Sequence, residues 1–253
     1  MAFPALRLAV GTLSVVPVGR LPAIDPPTAG RAMVLAPVAV LPLGLLVALV
    51  GGLAWAAGLP PLVVGLLVVG AVALGTRAMH LDGLADTVDG LGSGWDRTRA
   101  LDVMKRGDVG PMGVVTLILV LGLQAAALGD LVRSVPGALL AGLLLVASRS
   151  VLVLVCRQGV PAARPTGLGA VVAGTVRPLT AVLIWVGSAL VVGAASEVVS
   201  GQGWLAAVAV LLAGLVVLLG TRHCVRRFGG VTGDVMGAAV EAAFTVLLVV
   251  VAA

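Results

Sequence analysis

The segment HLDGLADTVDG, His80–Gly90, sets Asp82, Asp86 and Asp89 at intervals of four and three residues. On a helix that spacing brings the three carboxylates to one face. Like charges so placed repel one another unless a cation sits among them, and hard oxygen ligands of this kind suit Mg2+ or Mn2+. Six of the eleven acids, Asp82, Asp86, Asp89, Asp96, Asp102 and Asp108, fall within this one stretch of the chain. A solvated acidic loop would mix Glu with Asp and carry Lys neighbours. Here the acids are all Asp, interleaved with Gly83 and Gly90, while Leu81, Leu84, Ala85 and Val88 keep the other side apolar, as a helix continuing the preceding apolar run would need. The competing reading is a proton relay or ion pathway, which also uses intramembrane carboxylates.

Further polar clusters belong with this one. MKRGDVGPMG, Met104–Gly113, joins Lys105 and Arg106 to a glycine-containing turn. ARPTGLG, Ala163–Gly169, adds Arg164. RRFGGVTGDVMGAAVE, Arg226–Glu241, follows Arg226 with Gly229, Gly230 and Gly233 around Thr232 and Asp234, then opens a helix. Glycine-rich backbone before a helix N terminus can receive phosphate through free N–H groups and the helix dipole. Glu241 lies at least a turn inside that helix, where an unpaired carboxylate is costly; it either pairs with Arg149 or serves the polar site. A divalent metal on aspartates, several arginines and flexible backbone are what phosphoryl transfer needs.

The elements that must position these groups are apolar. Of 253 residues, 60% are hydrophobic and 11% charged, with a mean hydropathy of +1.20. A soluble domain carries about 25% charged residues, so the solvent of this chain is a bilayer. Apolar runs near 32–57, 60–79, 113–132, 137–155, 178–196, 203–221 and 236–253 predict about seven membrane-spanning helices, the first bent by Pro37 and Pro42. The expected fold is an all-α polytopic bundle forming a single transmembrane catalytic domain over 1–253, with polar active-site segments at 80–112, 156–177 and 222–241. Residues 1–20, interrupted by Pro4 and Pro17, fit an interfacial or re-entrant segment better than a cleaved signal. Cys156 and Cys224 have no zinc-type spacing and are expected to be reduced spectators. Few aromatics and no Tyr argue against base stacking, so nucleic acid is not an expected partner.

Loop charges orient the chain. With the N terminus on one side, that side collects thirteen basic residues in 1–31, 80–112, 156–177 and 222–235, against Arg133 alone on the other; Arg77 and Arg149 fall inside spans. The positive-inside rule makes the thirteen-residue side, N terminus included, cytoplasmic. Arg222, Arg226 and Arg227 either hold an anionic substrate or lipid headgroup or simply anchor that face.

The aspartate segment resembles the signature of the cobalamin synthase family, the adenosylcobinamide-GDP ribazoletransferases. Other segments resemble it in order: LSVVPVG, the Pro37 region, the MK run ending at Gly110, ARPTGLG and GGVTGDVMGAAVE. The resemblance implies an integral enzyme of the bacterial cytoplasmic membrane, with its active site facing the cytoplasm and a Mg2+ requirement. Its substrates would be adenosylcobinamide-GDP and α-ribazole or α-ribazole 5′-phosphate, and its products adenosylcobalamin or its phosphate, and GMP. Asp82, Asp86 and Asp89 match the family's aspartate motif as metal-binding and catalytic residues, and His80 its leading histidine, a general base or a cap to the motif. Asp234 and Glu241 match the carboxy-terminal motif. Lys105, Arg106, Arg164, Arg226, Gly230 and Thr232 complete the expected substrate- and phosphate-binding set. One departure is plain: where the family reads Met-Lys/Arg-Asp-Ser-Arg, this chain reads Met104-Lys105-Arg106-Gly107-Asp108, with acid and base exchanged.

Two other readings compete. Asp86, Asp89 and Gly90 resemble the start of the CDP-alcohol phosphotransferase motif, but Leu91 and Gly92 stand where Ala-Arg should follow. A cation-coupled transporter would use buried carboxylates without needing arginines and glycines on one face. Membrane lipid is an expected neighbour, and a homo-oligomer is compatible with the pattern.

Orientation is directly testable. Single cysteines placed in 1–31, 80–112, 156–177 or 222–235 should resist a membrane-impermeant thiol reagent added from the periplasmic side. Labelling at 90–100 from that side would overturn the topology.

Overall fold

The computed structural model describes residues 2–21 and 23–253. Among them it contains α1 (Ala2–Leu13), α2 (Pro26–Val34), α3 (Ala36–Ala39), α4 (Leu41–Ala56), α5 (Pro61–Thr76), α6 (Met79–Gly92), α7 (Arg97–Val103) and α8 (Pro111–Leu131). Then come α9 (Val135–Ser148), running through a 3-10 turn at Arg149–Val151 into α10 (Leu152–Val155), and α11 (Leu168–Val172), α12 (Pro178–Ser200), α13 (Gly203–Phe228) and α14 (Gly233–Val251). No β-strand occurs among the described residues.

Local chemistry fixes the helix ends. Pro26, Pro61, Pro111 and Pro178 occupy first-turn positions, where the missing N–H has no intrahelical partner to lose. The side chains of Asp25, Asp96, Ser134 and Thr232 cap α2, α7, α9 and α14 by accepting backbone N–H groups. Gly201 and Gly229 end α12 and α13 at φ 68° and 76°, the left-handed region that only glycine enters freely.

Five helical segments are long and apolar enough to cross a membrane: Pro111–Leu131, Val135–Val155, Pro178–Ser200, Gly203–Phe228 and Gly233–Val251. The pair Pro61–Thr76 and Met79–Gly92 makes a sixth if its 91° bend is ignored. The expected count of about seven is roughly met, and the shortfall has a cause. The run at 32–57 is cut at Leu35 and Val40 into α2, α3 and α4. Pro37 and Pro42 each remove an N–H from the helical ladder, leaving α4 at 16 residues. The aspartate helix also differs from expectation. It does not continue the preceding span but turns off it by 91° to lie against α14, outside the five segments that could cross a membrane on their own.

Val135–Val155 runs through the middle and is almost wholly buried, whereas α12 is mostly exposed and peripheral. Leu45, Leu49, Leu66, Ile118, Leu119, Leu190, Leu211 and Leu215 are exposed and form the outward apolar surface that lipid would cover. Small residues let the backbones meet. A Cβ on Gly44 would lie 2.8 Å from the Gly142 carbonyl oxygen, joining α4 to α9, and one on Gly65 would collide with the Ala125 carbonyl, joining α5 to α8. Lipid tails are as apolar as Leu, so such close packing rather than hydrophobic burial drives helix association in a membrane.

Gly65 and Gly70 share α5, and a Cβ on Gly70 meets nothing within 4 Å. Gly65→Ala should lower the unfolding temperature in detergent and weaken the α5–α8 contact. Gly70→Ala should be neutral or raise it slightly, because Ala is favoured over Gly in a helix by about 1 kcal/mol. Equal behaviour of the two variants would show that the backbone contact is unimportant.

Candidate active site

The site begins with a bend. After Thr76 the chain passes through Arg77 and Ala78 at φ 55° and 54°. Left-handed backbone costs a non-glycine residue about 1–3 kcal/mol and persists only where its surroundings hold it. Here they do. Ala78 N donates to the Ala73 carbonyl at 2.7 Å, Arg77 N to Leu74 at 3.2 Å, and Val15 N, from the segment after α1, to Gly75 at 2.9 Å. The bend directs α6 across the start of α14.

The two helices touch through glycine. A Cβ on Gly83 would lie 2.8 Å from the Asp234 carbonyl oxygen, and one on Gly237 would lie 3.1 Å from the His80 Cα. This contact brings the exposed Asp82 and half-buried Asp86 of α6 to the side of Asp234. Burial foremost, then the carboxylates of Asp82, Asp234 and Asp89, pushes the Asp86 carboxyl up to about 6, while Arg164 pulls it down. Thr232 orients Asp234: its hydroxyl donates to Asp234 Oδ2 at 3.1 Å while accepting the Val235 N–H at 3.3 Å.

Asp234 lies between two cavities. One, of about 250 Å3, has a largely apolar wall that includes Leu13, Met33, Leu152 and Met236, with Thr12, His80 and Asp82. The other, of about 240 Å3, is bounded by Arg164, Thr166, Thr232 and the backbone around Gly167 and Gly169. Leu168, Gly233 and Asp234 line both. Loop 161–164 is pinned to the segment before α14 by Ala163 N to Val231 O at 3.0 Å and Val231 N to Pro161 O at 2.9 Å. Arg164 donates Nη2 to the Leu101 carbonyl at 2.6 Å, and its buried Nε has no hydrogen-bond partner among the described residues.

The expected residues do not all converge. Asp89 is buried and turned toward α8: Oδ2 accepts the Gly110 N–H at 2.7 Å and Oδ1 the Gly113 N–H at 2.9 Å. A carboxylate there caps the N terminus of α8 and complements its dipole. Gly230 is pressed against the backbone of Ala162 and Ala163. Lys105, Arg106 and Arg226 are exposed and line neither cavity. Glu241 also lines neither; its Oε2 accepts from Gln124 Nε2 at 2.8 Å. It forms no ion pair with Arg149, the only one among the described residues being Arg133–Asp130. His80 is 6% exposed, with Nδ1 unpartnered among the described residues. Among the described residues, no three His, Cys, Asp or Glu side chains form a group that could hold a metal, so any cation would draw on fewer protein ligands plus its substrate. Cys156 and Cys224 are free and buried.

Several contributors escaped the sequence reading. The amino-terminal Thr12 and Met33 reach the first cavity, and nothing in their local sequence marks them. Gln124 could have been noticed as the lone amide in an apolar run. Arg97 donates Nη2 to the Ala163 carbonyl at 3.1 Å and so helps fix the loop that bears Arg164.

Comparison with known proteins gives the family. The family model described as cobalamin-5-phosphate synthase matches residues 5–252. An adenosylcobinamide-GDP ribazoletransferase of Nocardioides sp. is 51% identical over 249 residues, covering 98% of each chain. A protein of the same name from Frankia casuarinae is 38% identical over 264 residues, covering 97% of this chain and 93% of its own. One from Bradyrhizobium diazoefficiens is 37% identical over 256 residues, covering 98% and 93%. No solved structure matches.

The differing surroundings of the aspartates predict differing variants. Asp89→Asn leaves an amide NH2 facing a backbone N–H and should cost about 2 kcal/mol of stability, in the range for charged hydrogen bonds. Asp82→Asn, on an exposed residue, should leave the unfolding temperature within about a degree or raise it, since it removes like-charge repulsion. Thermal unfolding in one detergent decides: a larger loss in Asp82→Asn would contradict the capping assignment.

Proposed function

The chain belongs to the cobalamin-5-phosphate synthase family and is an enzyme, and from that premise we propose that it joins adenosylcobinamide-GDP to α-ribazole or α-ribazole 5′-phosphate. The observation that carries the reading is the position of Asp234 between a cavity walled by Arg164 and glycine-rich backbone and a cavity walled by apolar side chains. The first suits a diphosphate, which backbone N–H groups and a guanidinium can hold. The second, at about 250 Å3, suits the flat apolar base of ribazole and is too small for a corrin macrocycle.

In the proposed step a ribose hydroxyl oxygen bonds to the phosphorus attached to cobinamide. The bond from that phosphorus to the bridging oxygen of the diphosphate breaks, and its electron pair leaves with GMP. Asp82 and His80, both on the wall of the apolar cavity, are placed to take the hydroxyl proton. Arg164 holds the phosphate that leaves with GMP, and Thr232 keeps Asp234 turned toward the junction. Asp89 supports the site by anchoring the start of α8.

Mg2+ is the proposed metal, held by one or two of Asp82, Asp86 and Asp234 together with substrate phosphate. The donor set fits: burial first, and then the neighbouring carboxylates, Asp82 and Asp234 among them, raise the Asp86 carboxyl, and Mg2+ usually takes one or two carboxylates plus substrate phosphate. When bound, the ion would neutralise charge on the diphosphate. The thirteen-to-one basic split supports a site facing the cytoplasm across the cytoplasmic membrane.

The assay is release of GMP and formation of the joined corrinoid by purified protein with Mg2+. Asp82→Asn should lower turnover by about a hundredfold or more. Thr12→Phe, which pushes a ring into the apolar cavity, should raise KM for α-ribazole by about tenfold and leave KM for adenosylcobinamide-GDP unchanged, as expected of a pocket that reads shape. Arg164→Gln should do the reverse. Absence of any wild-type turnover would refute the function; an exchanged KM pattern would refute only the assignment of the cavities.

A further inference from the structure

Away from Asp234, two more cavities meet on the flank of the bundle. One, of about 570 Å3, opens between α2 and the start of α12 and is lined by Arg31, Arg177, Thr175 and Thr180. The other, of about 330 Å3, is apolar and runs between α3, α9 and α12, with Pro37, Val146, Leu183, Gly187 and Val191 among its walls. Val34 lines both. We infer that these two cavities form one binding site for an anionic phospholipid, with its phosphate at Arg31 and Arg177 and one acyl chain in the apolar groove.

Four features carry this inference. First, the head is cationic and uncommitted: Arg31 and Arg177 are exposed, and neither side chain has a hydrogen-bond or ion-pair partner among the described residues. Asp25 lies near enough to feel Arg31, but its carboxylate caps α2 by accepting the Thr28 N–H at 2.9 Å. Second, the two arginines are held together. A Cβ on Gly30 would lie 2.8 Å from the Thr175 carbonyl oxygen, so α2 seats directly on the segment leading to Arg177. Third, the groove has a structural origin. Pro37 interrupts the helix that would otherwise run on from α2, and the gap beside the break is the apolar cavity. Fourth, the length fits. From Thr180 to Val191 along α12 is about 16 Å at 1.5 Å per residue, close to the ~15 Å depth of one leaflet of hydrocarbon. A soluble anion would use the arginines and leave the groove empty; a neutral lipid would use the groove and leave the arginines unpaired. An anionic phospholipid satisfies both. The site lies apart from the proposed reaction centre and does not depend on the proposed activity.

The test uses full-length protein moved from detergent into nanodiscs of phosphatidylglycerol or phosphatidylcholine. Wild-type protein should unfold at a higher temperature in phosphatidylglycerol. In native mass spectrometry it should retain one phosphatidylglycerol per chain in preference to phosphatidylcholine. The Arg31→Gln, Arg177→Gln double variant should lose both preferences. Gly187→Leu, which fills the groove at a position where a Cβ meets nothing within 4 Å, should lose lipid retention with its helix intact. Wild-type protein without a preference for phosphatidylglycerol, or wild-type retention in either folded variant, overturns the inference. If a variant fails to fold in phosphatidylcholine, the wild-type comparison decides alone.

Discussion

The contact between Gly83 on α6 and the backbone of Asp234 on α14 is the constraint on which the proposed site depends. Carboxylates on different helices come to one place only if their backbones do. Gly83 and Gly237 allow an approach that even a methyl group would obstruct, and that approach sets the separation of Asp82 and Asp86 from Asp234. The strained bend at Arg77 and Ala78 serves the same end, turning α6 by 91° so that its aspartates face α14 rather than lie along the axis of α5. The bend is held in turn by Val15, so the amino-terminal segment that contributes Thr12 and Leu13 to the apolar cavity also stabilises the helix that carries the carboxylates.

A bilayer also dictates where polar groups can be left. Gln124, Glu241 and Thr245 form a closed set between α8 and α14: Gln124 Nε2 donates to Glu241 Oε2 at 2.8 Å and to Thr245 Oγ1 at 3.0 Å, and the Thr245 hydroxyl donates to the Glu241 carbonyl at 2.8 Å. Arg149 is fully buried; its Nη1 donates to Ser148 Oγ at 2.7 Å and to the Leu145 carbonyl at 3.2 Å, and its guanidinium lies 5.8 Å from the Phe244 ring centroid. Such groups are expensive in hydrocarbon unless paired; the Gln124 set ties α8 to α14, while Arg149, whose buried Nε and Nη2 have no hydrogen-bond partner among the described residues, reaches α14 only over the Phe244 ring.

Composition and apolar run length made the helical membrane fold legible, and motif spacing marked the chemistry-bearing segments. Spans such as 178–196 and 203–221 were readable because twenty apolar residues in a row admit little else. What escaped was three-dimensional. The i, i+4, i+7 pattern placed Asp82, Asp86 and Asp89 on one face, but a face is wide enough for Asp89 to point at α8 while Asp82 points at a cavity. The bend after Thr76 was hidden because left-handed backbone at Arg77 and Ala78 has no sequence signature where glycine is absent. Glu241 read as either a partner for Arg149 or a member of the polar site because charge is visible in a sequence, whereas the amide of Gln124, more than a hundred residues away, is not an obvious partner.

The arrangement of the arginines shows why counting charges could not identify the phosphate cavity. Lys105, Arg106 and Arg226 are exposed, and nothing about their positions ties them to either cavity. Arg164 is different in kind, because it is built in twice over. It grips the end of α7 through the Leu101 carbonyl, while Arg97, at the other end of that short helix, grips the adjoining loop through the Ala163 carbonyl. The two form a reciprocal clasp between α7 and loop 161–164, and that loop is itself paired with Val231 ahead of α14. A guanidinium can make such a bond and still present other N–H groups to an anion, which an ammonium on a flexible stem does less well. The clasp therefore converts one of sixteen basic residues into a fixed donor beside Asp234, and it does so with residues whose types are unremarkable in the sequence and whose partners are main-chain carbonyls.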